Sequence, residues 1–276
     1  VFGIKSRLLR NSKSFGGEKS PNRKIILEYW KSKVNIGDAL APVIYEYMLK
    51  KNGLSKDVSI PKRIHLMTVG SLIGLMPFDA VIWGTGIHRV NITKNLINNC
   101  KKISYDIRAV RGPVTKFVMD IAGYQCPDVF GDPAVLMKLI YQPENVKKEY
   151  DVSVIYHLFH KNSEKKEGIH YIDTQTDDYK FFINEIIKSK LIISSSLHGI
   201  ILAETYGIPA IFLSEGMEEE IIKYFDWYYS TGRCNIKMAL SLEEALSMEP
   251  MEIPDLEAMR KSLIDSFPAD LWDKTI

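Results

Sequence analysis

The stretch Leu191-Ile-Ile-Ser-Ser-Ser-Leu-His-Gly-Ile-Ile-Leu-Ala-Glu-Thr-Tyr-Gly-Ile-Pro-Ala-Ile-Phe-Leu213 decides the fold class. Leu191–Ser194 has the length and apolar character of a buried strand, and a polar turn, Ser195 to Gly199, follows it. A helix then runs to about Tyr206, Gly207-Ile-Pro209 ends it, and Pro209–Leu213 is again an apolar strand. Strand, helix and strand in so few residues make a parallel crossover unit, because parallel neighbours need a connection of a dozen or more residues. Near-continuous apolar strands of this kind are covered on both faces.

The same alternation extends upstream. Asp151–Tyr156 and Gly168–Ile172 read as strands, and Tyr179–Ser189 as a helix whose stripe of Phe182, Ile183, Ile186 and Ile187 faces a core. A first unit precedes these. It has strands at Lys24–Trp30, Ile64–Val69, Ala80–Trp83 and Lys102–Val110, a helix ending at Lys51, and another from Pro113 to about Ala122. Pro113 suits a first helical turn, where its missing N–H would have no partner anyway. Val135–Tyr150, with Pro143 and a charged run from Glu144 to Glu149, reads as the linker. The expectation is an α/β protein of two Rossmann-like domains facing a cleft, at residues 22–142 and 150–235. A basic segment at 1–21 precedes them, and acidic helices at 236–276 are expected to pack back on the first domain.

A net charge of +2 excludes strong global attraction to nucleic acid. No apolar run of about 18 residues exists, so no helix is expected to span a membrane. Val1 is not an initiator Met and the following residues lack a secretory apolar stretch, so the first residue is expected to be a boundary. Cys100, Cys126 and Cys234 are too few and too scattered for a disulfide framework or a metal clip, which points to a cytoplasmic protein. Residues 1–24 carry seven basic side chains against Glu18. The first reading is a solvated terminus; the second is peripheral contact with anionic headgroups at the inner face of a membrane.

Polar or glycine-bearing turns follow five of the strands: Asn35-Ile-Gly-Asp38, Gly70-Ser71, Gly84-Thr-Gly86, Arg111-Gly112 and Ser195-Ser-Leu-His-Gly199. Turns of this kind at strand carboxyl ends, ahead of helix N-termini, suit anions. Neither a P-loop nor a GxGxxG fingerprint is present, which argues against nucleotide hydrolysis and dinucleotide binding. His198 stands where strand gives way to helix and is suited to acid–base work near neutral pH. Arg111 offers a planar fork to a carboxylate or phosphate, or else a salt bridge to Asp132 or another acid. Asp38 is a helix cap or a catalytic base. His157 and His160 lack the company of a zinc site and read as acceptor contacts, while Asp128 and Asp132 around Gly131 read as a turn.

Asn35-Ile-Gly-Asp38, Trp83-Gly-Thr-Gly86, Arg108-Ala-Val-Arg-Gly112, Gly131-Asp-Pro133 and Ser196-Leu-His-Gly-Ile200, in this order and with Gly207-Ile-Pro209 after them, resemble the polysaccharide pyruvyl transferase family over about residues 25–230. The resemblance implies two Rossmann-like domains arranged as in B-type glycosyltransferases. It implies transfer of a pyruvyl group from phosphoenolpyruvate to a sugar diol of a surface polysaccharide or its lipid-linked precursor, giving a cyclic ketal with no cofactor or metal. On that pattern His198 is the general acid, Asp38 the base or acceptor-orienting group, and Arg111 the donor's cation. From their turns, Asn35, Gly37, Gly84, Thr85, Gly86, Ser195, Ser196, Leu197, Gly199 and His157 are expected to line the substrates. Many members carry an Arg two residues before the His, where this chain has Ser196; Arg108, Arg89 and Arg233 are the substitutes to consider. Two other functions fit the same residues: a B-type glycosyltransferase using a nucleotide-sugar, and a non-catalytic anion-binding or scaffolding relative in polysaccharide assembly.

Overall fold

A computed structural model describes residues 25–57, 63–76, 78–89, 91–99, 102–160, 165–215 and 221–272. The basic segment expected at 1–21 lies outside the described residues. In chain order the elements are β1 (Ile25–Glu28), α1 (Ile36–Lys51), β2 (Ile64–Met67), β3 (Ala80–Trp83), α2 (Ile92–Asn99), β4 (Tyr105–Ala109), α3 (Pro113–Ile121), a 3-10 turn (Pro133–Leu136), α4 (Met137–Ile140) and β5 (Tyr150–Ile155). There follow β6 (His170–Tyr171), α5 (Tyr179–Lys188), β7 (Ser189–Ser194), α6 (Leu197–Thr205), β8 (Ala210–Leu213), α7 (Ile222–Ser230), β9 (Met238–Ala239), α8 (Leu242–Ser247) and α9 (Glu257–Asp265).

The strands form two separate parallel sheets, ordered β1-β2-β3-β4 and β6-β5-β7-β8-β9. β3 and β8 are buried at every position, the pattern required where helices cover both faces. In the second sheet the chain starts at β5, steps out to β6, and returns past β5 to β7. The carboxyl ends of β5 and β7 therefore flank a topological switch point, where open α/β sheets bind ligands.

One buried hydrophobic cluster runs through both sheets. It joins Ile36, Leu40 and Ile44 of α1 to Ile183 and Ile186 of α5 and to Leu197, Ile200 and Ile201 of α6. The 3-10 turn packs against α1, α6 and α9, and Ala134 to Met137 are fully buried. The linker reading of Val135–Tyr150 is thus corrected at its start: apolar Val135–Met137 serve the shared core, and the solvated polar stretch begins only after Ile140. Near the C-terminus, Trp83 Nε1 donates to Leu263 O at 2.9 Å and Trp272 Nε1 to Ser55 O at 2.8 Å, while Arg108 pairs with Asp270. These bonds tie α9 and the residues after it to the first sheet's unit.

Candidate functional site

Asn35 is the N-cap residue of α1, with extended backbone, but its side chain does not cap the helix. Its amide Nδ2 donates instead to Asp38 Oδ2 at 2.7 Å. Asp38 therefore lies inside the first turn, and the helix-cap reading of it is corrected. Burial pushes the Asp38 carboxyl above the ordinary aspartate range, against the Asn35 bond and the attraction of His198 and Lys223, which pull it down. A carboxyl so placed holds or gives up a proton closer to working pH than an exposed one.

His198 stands at the second position of α6, after Ser196, whose Oγ accepts from Gly199 N and caps that helix. The imidazole lies flat against Gly37 of α1: a Cβ added there would fall 2.1 Å from His198 Nδ1. Only glycine admits the ring. This contact brings the N-termini of α1 and α6 together, so two positive helix ends face one locality. His198 Nε2 stands 3.6 Å from Asp132 Oδ2, and both atoms are buried with no hydrogen-bond partner. Asp132 is itself fully buried and caps the 3-10 turn, its Oδ1 accepting from Ala134 N at 3.0 Å. Pro133 is seated on Gly84, whose φ of +88° a side chain would resist and whose Cβ would meet Pro133 Cδ at 2.4 Å.

His157 follows β5, across the switch point. Its backbone N–H donates to Ser195 Oγ at 2.9 Å, and its Nε2 lies 3.3 Å from Lys223 Nζ. Lys223, on α7, is a buried cation, only 5% exposed, and its charge reaches Asp38. The structure thus gathers Asn35, Gly37, Asp38, His157, Ser195, Ser196, Leu197, His198 and Gly199 with Asp132, expected only in a turn or as a partner of Arg111, and with Lys223, which the sequence did not single out.

Arg111 is placed differently. Its guanidinium is fully buried and held inside the protein: Nε donates to Asp226 Oδ2 at 3.0 Å, Nη1 to Ser71 Oγ at 2.7 Å, and Nη2 to Ile87 O at 2.8 Å. Asp226 also accepts from Thr115 N and Thr115 Oγ1, at 2.9 and 2.6 Å, on the first turn of α3. The turn does recognise a carboxylate with an arginine fork and a helix N-terminus, but the carboxylate is the protein's own, supplied by α7. Of the two expectations for Arg111, a fork for a donor anion or a salt bridge to an acid, the structure shows the salt bridge, made with Asp226 and not with Asp132. Gly84, Thr85 and Gly86 pack into the same frame. Thr85 is buried and donates to Gly70 O at 3.0 Å, and the Arg111 guanidinium lies where a Cβ on Gly86 would be.

Of the substitutes for an Arg at Ser196, Arg108 is committed to Asp106 and Asp270, and Arg233 to Glu204. The buried cation beside His157 is Lys223. One signal for it was present in the sequence: helical spacing puts Lys223, Asp226 and Trp227 on one stripe, and charges on a stripe facing the core need a reason. Asp132 gave a weaker one, an acid between Gly131 and Pro133 at the end of a strand. Among the described residues no group of three or more His, Cys, Asp or Glu side chains is arranged to hold a metal ion. None of the described helices is long and apolar enough to cross a membrane.

A family model described as polysaccharide pyruvyl transferase matches residues 35–216. An uncharacterized protein of Acanthamoeba polyphaga mimivirus, L143, is 27% identical over 222 residues, covering 74% of this chain and 74% of its own. The succinoglycan biosynthesis protein ExoV of Rhizobium meliloti (strain 1021) is 25% identical over 225 residues, covering 74% of this chain and 64% of that protein. The crystal structure of an uncharacterized protein from Klebsiella pneumoniae subsp. pneumoniae NTUH-K2044 superposes with a TM-score of 0.51 at 15% identity, over 80% of this chain and 94% of that one. That likeness concerns the fold alone.

Proposed function

The chain belongs to the polysaccharide pyruvyl transferase family, and from that premise we propose that it moves a pyruvyl group from phosphoenolpyruvate to two hydroxyls of one sugar in a surface polysaccharide or its lipid-linked precursor. The observation that supports this most is the buried pairing of His198 Nε2 with Asp132 Oδ2, 3.6 Å apart and both without partners, where the N-termini of α1 and α6 and the Lys223 ammonium converge. The two sheet units would face each other across this locality as a cleft.

The donor carries a carboxylate and a phosphate. Lys223 and the two helix ends supply positive charge for them, in place of Arg111. His198 places a proton on the methylene carbon, which becomes a methyl group, and positive character develops at the neighbouring carbon. Asp132 supports the charged imidazole. The first sugar hydroxyl attacks that carbon and passes its proton to Asp38. The carbon–oxygen bond to phosphate then breaks, the second hydroxyl adds in its place, and its proton leaves with inorganic phosphate. One donor and one diol give one cyclic ketal and one phosphate, with no oxidant and no cofactor required. An acceptor in exopolysaccharide assembly is supported by the family match and by the likeness to ExoV, a succinoglycan biosynthesis protein.

The test is incubation of the protein with phosphoenolpyruvate and a set of lipid-linked oligosaccharides. Mass spectrometry would follow ketal formation, and phosphate release would be measured alongside. Equal amounts of both products are expected. Consumption of a nucleotide-sugar with phosphoenolpyruvate untouched would replace this reading with glycosyl transfer. Inertness toward every donor would point to a scaffolding role.

A further inference from the structure

The turn after β5 displays an aromatic ring to solvent beside the site. Phe159 is 53% exposed, and single exposed apolar side chains are ordinary. This one stands in a turn whose neighbouring residues are bonded on both sides. His160 N donates to His157 O at 2.8 Å, the His160 ring stacks on Tyr156 at 4.1 Å and 5°, and His157 N is bound to Ser195 Oγ. Phe159 also lies 5.7 Å, centroid to centroid, from the His157 ring, which in turn touches Lys223. From the other sheet's unit, Lys33 reaches over with its ammonium 4.9 Å from the Phe159 centroid. Lys33 belongs to the turn that continues into Asn35 and Asp38, and Val34 beside it is 55% exposed. The ring thus stands at the rim of the site, where the turns of the two units meet.

We propose that Phe159 is the platform on which a saccharide ring of the acceptor rests, the Lys33 ammonium that now lies over the ring moving to its edge and donating hydrogen bonds to sugar oxygens. The negative face of an aromatic ring attracts the polarised C–H groups of a pyranose for the same reason that it attracts the Lys33 ammonium. Lys33, long and exposed, can swing aside when the sugar arrives. A sugar seated there lies beside His157, whose Nε2 is 3.3 Å from Lys223 Nζ, the order that transfer to its hydroxyls requires. The proposal rests on the pyruvyl-transfer reading for its purpose but not for its test.

Saturation-transfer NMR without any donor would use methyl galactoside, methyl glucoside and methyl N-acetylmannosaminide as probes, on the wild type, Phe159→Ala and Phe159→Trp. Transfer to the ring protons of at least one glycoside is expected. Its affinity should fall about tenfold in Phe159→Ala, as loss of most of a ring's contact predicts, and be kept in Phe159→Trp. The melting temperature should not move, because the side chain is largely exposed. Absence of transfer from all three probes in the wild type, or equal affinity in Phe159→Ala, overturns the platform. Failure of ketal formation with the Phe159-dependent binding intact would instead overturn the pyruvyl-transfer reading and leave the platform standing.

Discussion

Replacing Gly37 by alanine isolates the contact on which the site is built. Gly37 is the second residue of α1 and its φ lies outside the left-handed region, so the backbone accepts alanine without strain. Intrinsic propensity even favours the change, by up to about 1 kcal/mol for a helix position. The cost is steric and falls on one side chain, because the new methyl would stand 2.1 Å from His198 Nδ1 and 2.7 Å from Cγ and Cε1. Ordinary carbon contacts need about 3.5 Å, so the imidazole must retreat by more than about 1 Å. Overpacking of this size costs about 1–3 kcal/mol, partly offset by the helix gain, and the net loss of stability is small. Catalysis has no such offset: displacement of a reacting group by about 1 Å costs on the order of a hundredfold in rate. Gly37→Ala should therefore lower turnover about a hundredfold while the melting temperature drops only a few degrees. Steady-state phosphate release and calorimetry would be run on one preparation. The double variant Gly37→Ala/His198→Ala should regain the lost stability and no activity. Full turnover in Gly37→Ala would refute both the contact and the part assigned to His198.

His198→Gln and His198→Ala should each lose at least about a hundredfold in turnover, the range for a general acid; a structural histidine would let Gln retain activity, so near-wild-type phosphate release from that variant removes the assignment. Asp38, raised by burial, keeps its proton in the folded state at pH values where the unfolded chain has lost it. Stability therefore falls as pH climbs through that window, and Asp38→Asn should melt higher than the wild type at neutral pH, with the gain vanishing below the ordinary aspartate range. The same variant should lose the acidic limb of the kcat/KM profile, and an unchanged limb would clear Asp38 of proton transfer. Arg111→Ala leaves Asp226 charged, buried and short of a partner, which costs about 3–5 kcal/mol; a large fall in melting temperature is expected, and a stable variant with only a weakened KM for phosphoenolpyruvate would return Arg111 to the donor.

Local pattern carried most of the fold, because strand runs and crossover helices are written in neighbouring residues. Leu191–Leu213, Asp151–Tyr156 and Ala80–Trp83 become strand and helix where alternation of apolar runs with turns places them. Ser195 to Gly199 and Asn35 to Asp38 likewise announced polar turns at strand ends, and both turns enter the site. The sequence by itself did not disclose what those turns meet. His198 finds Asp132, 66 positions away, and packs on Gly37, 161 away, through contacts between two sheets that no local period encodes. Arg111 and Asp226 make the same point from the other side. An arginine fork ahead of a helix N-terminus is legible as a carboxylate site, but only the docking of α7 decides that the carboxylate comes from the protein. The same docking of α7 brings Lys223, one helical turn earlier, beside His157. Local chemistry fixes what a group can bind, whereas packing between distant segments fixes which partner reaches it.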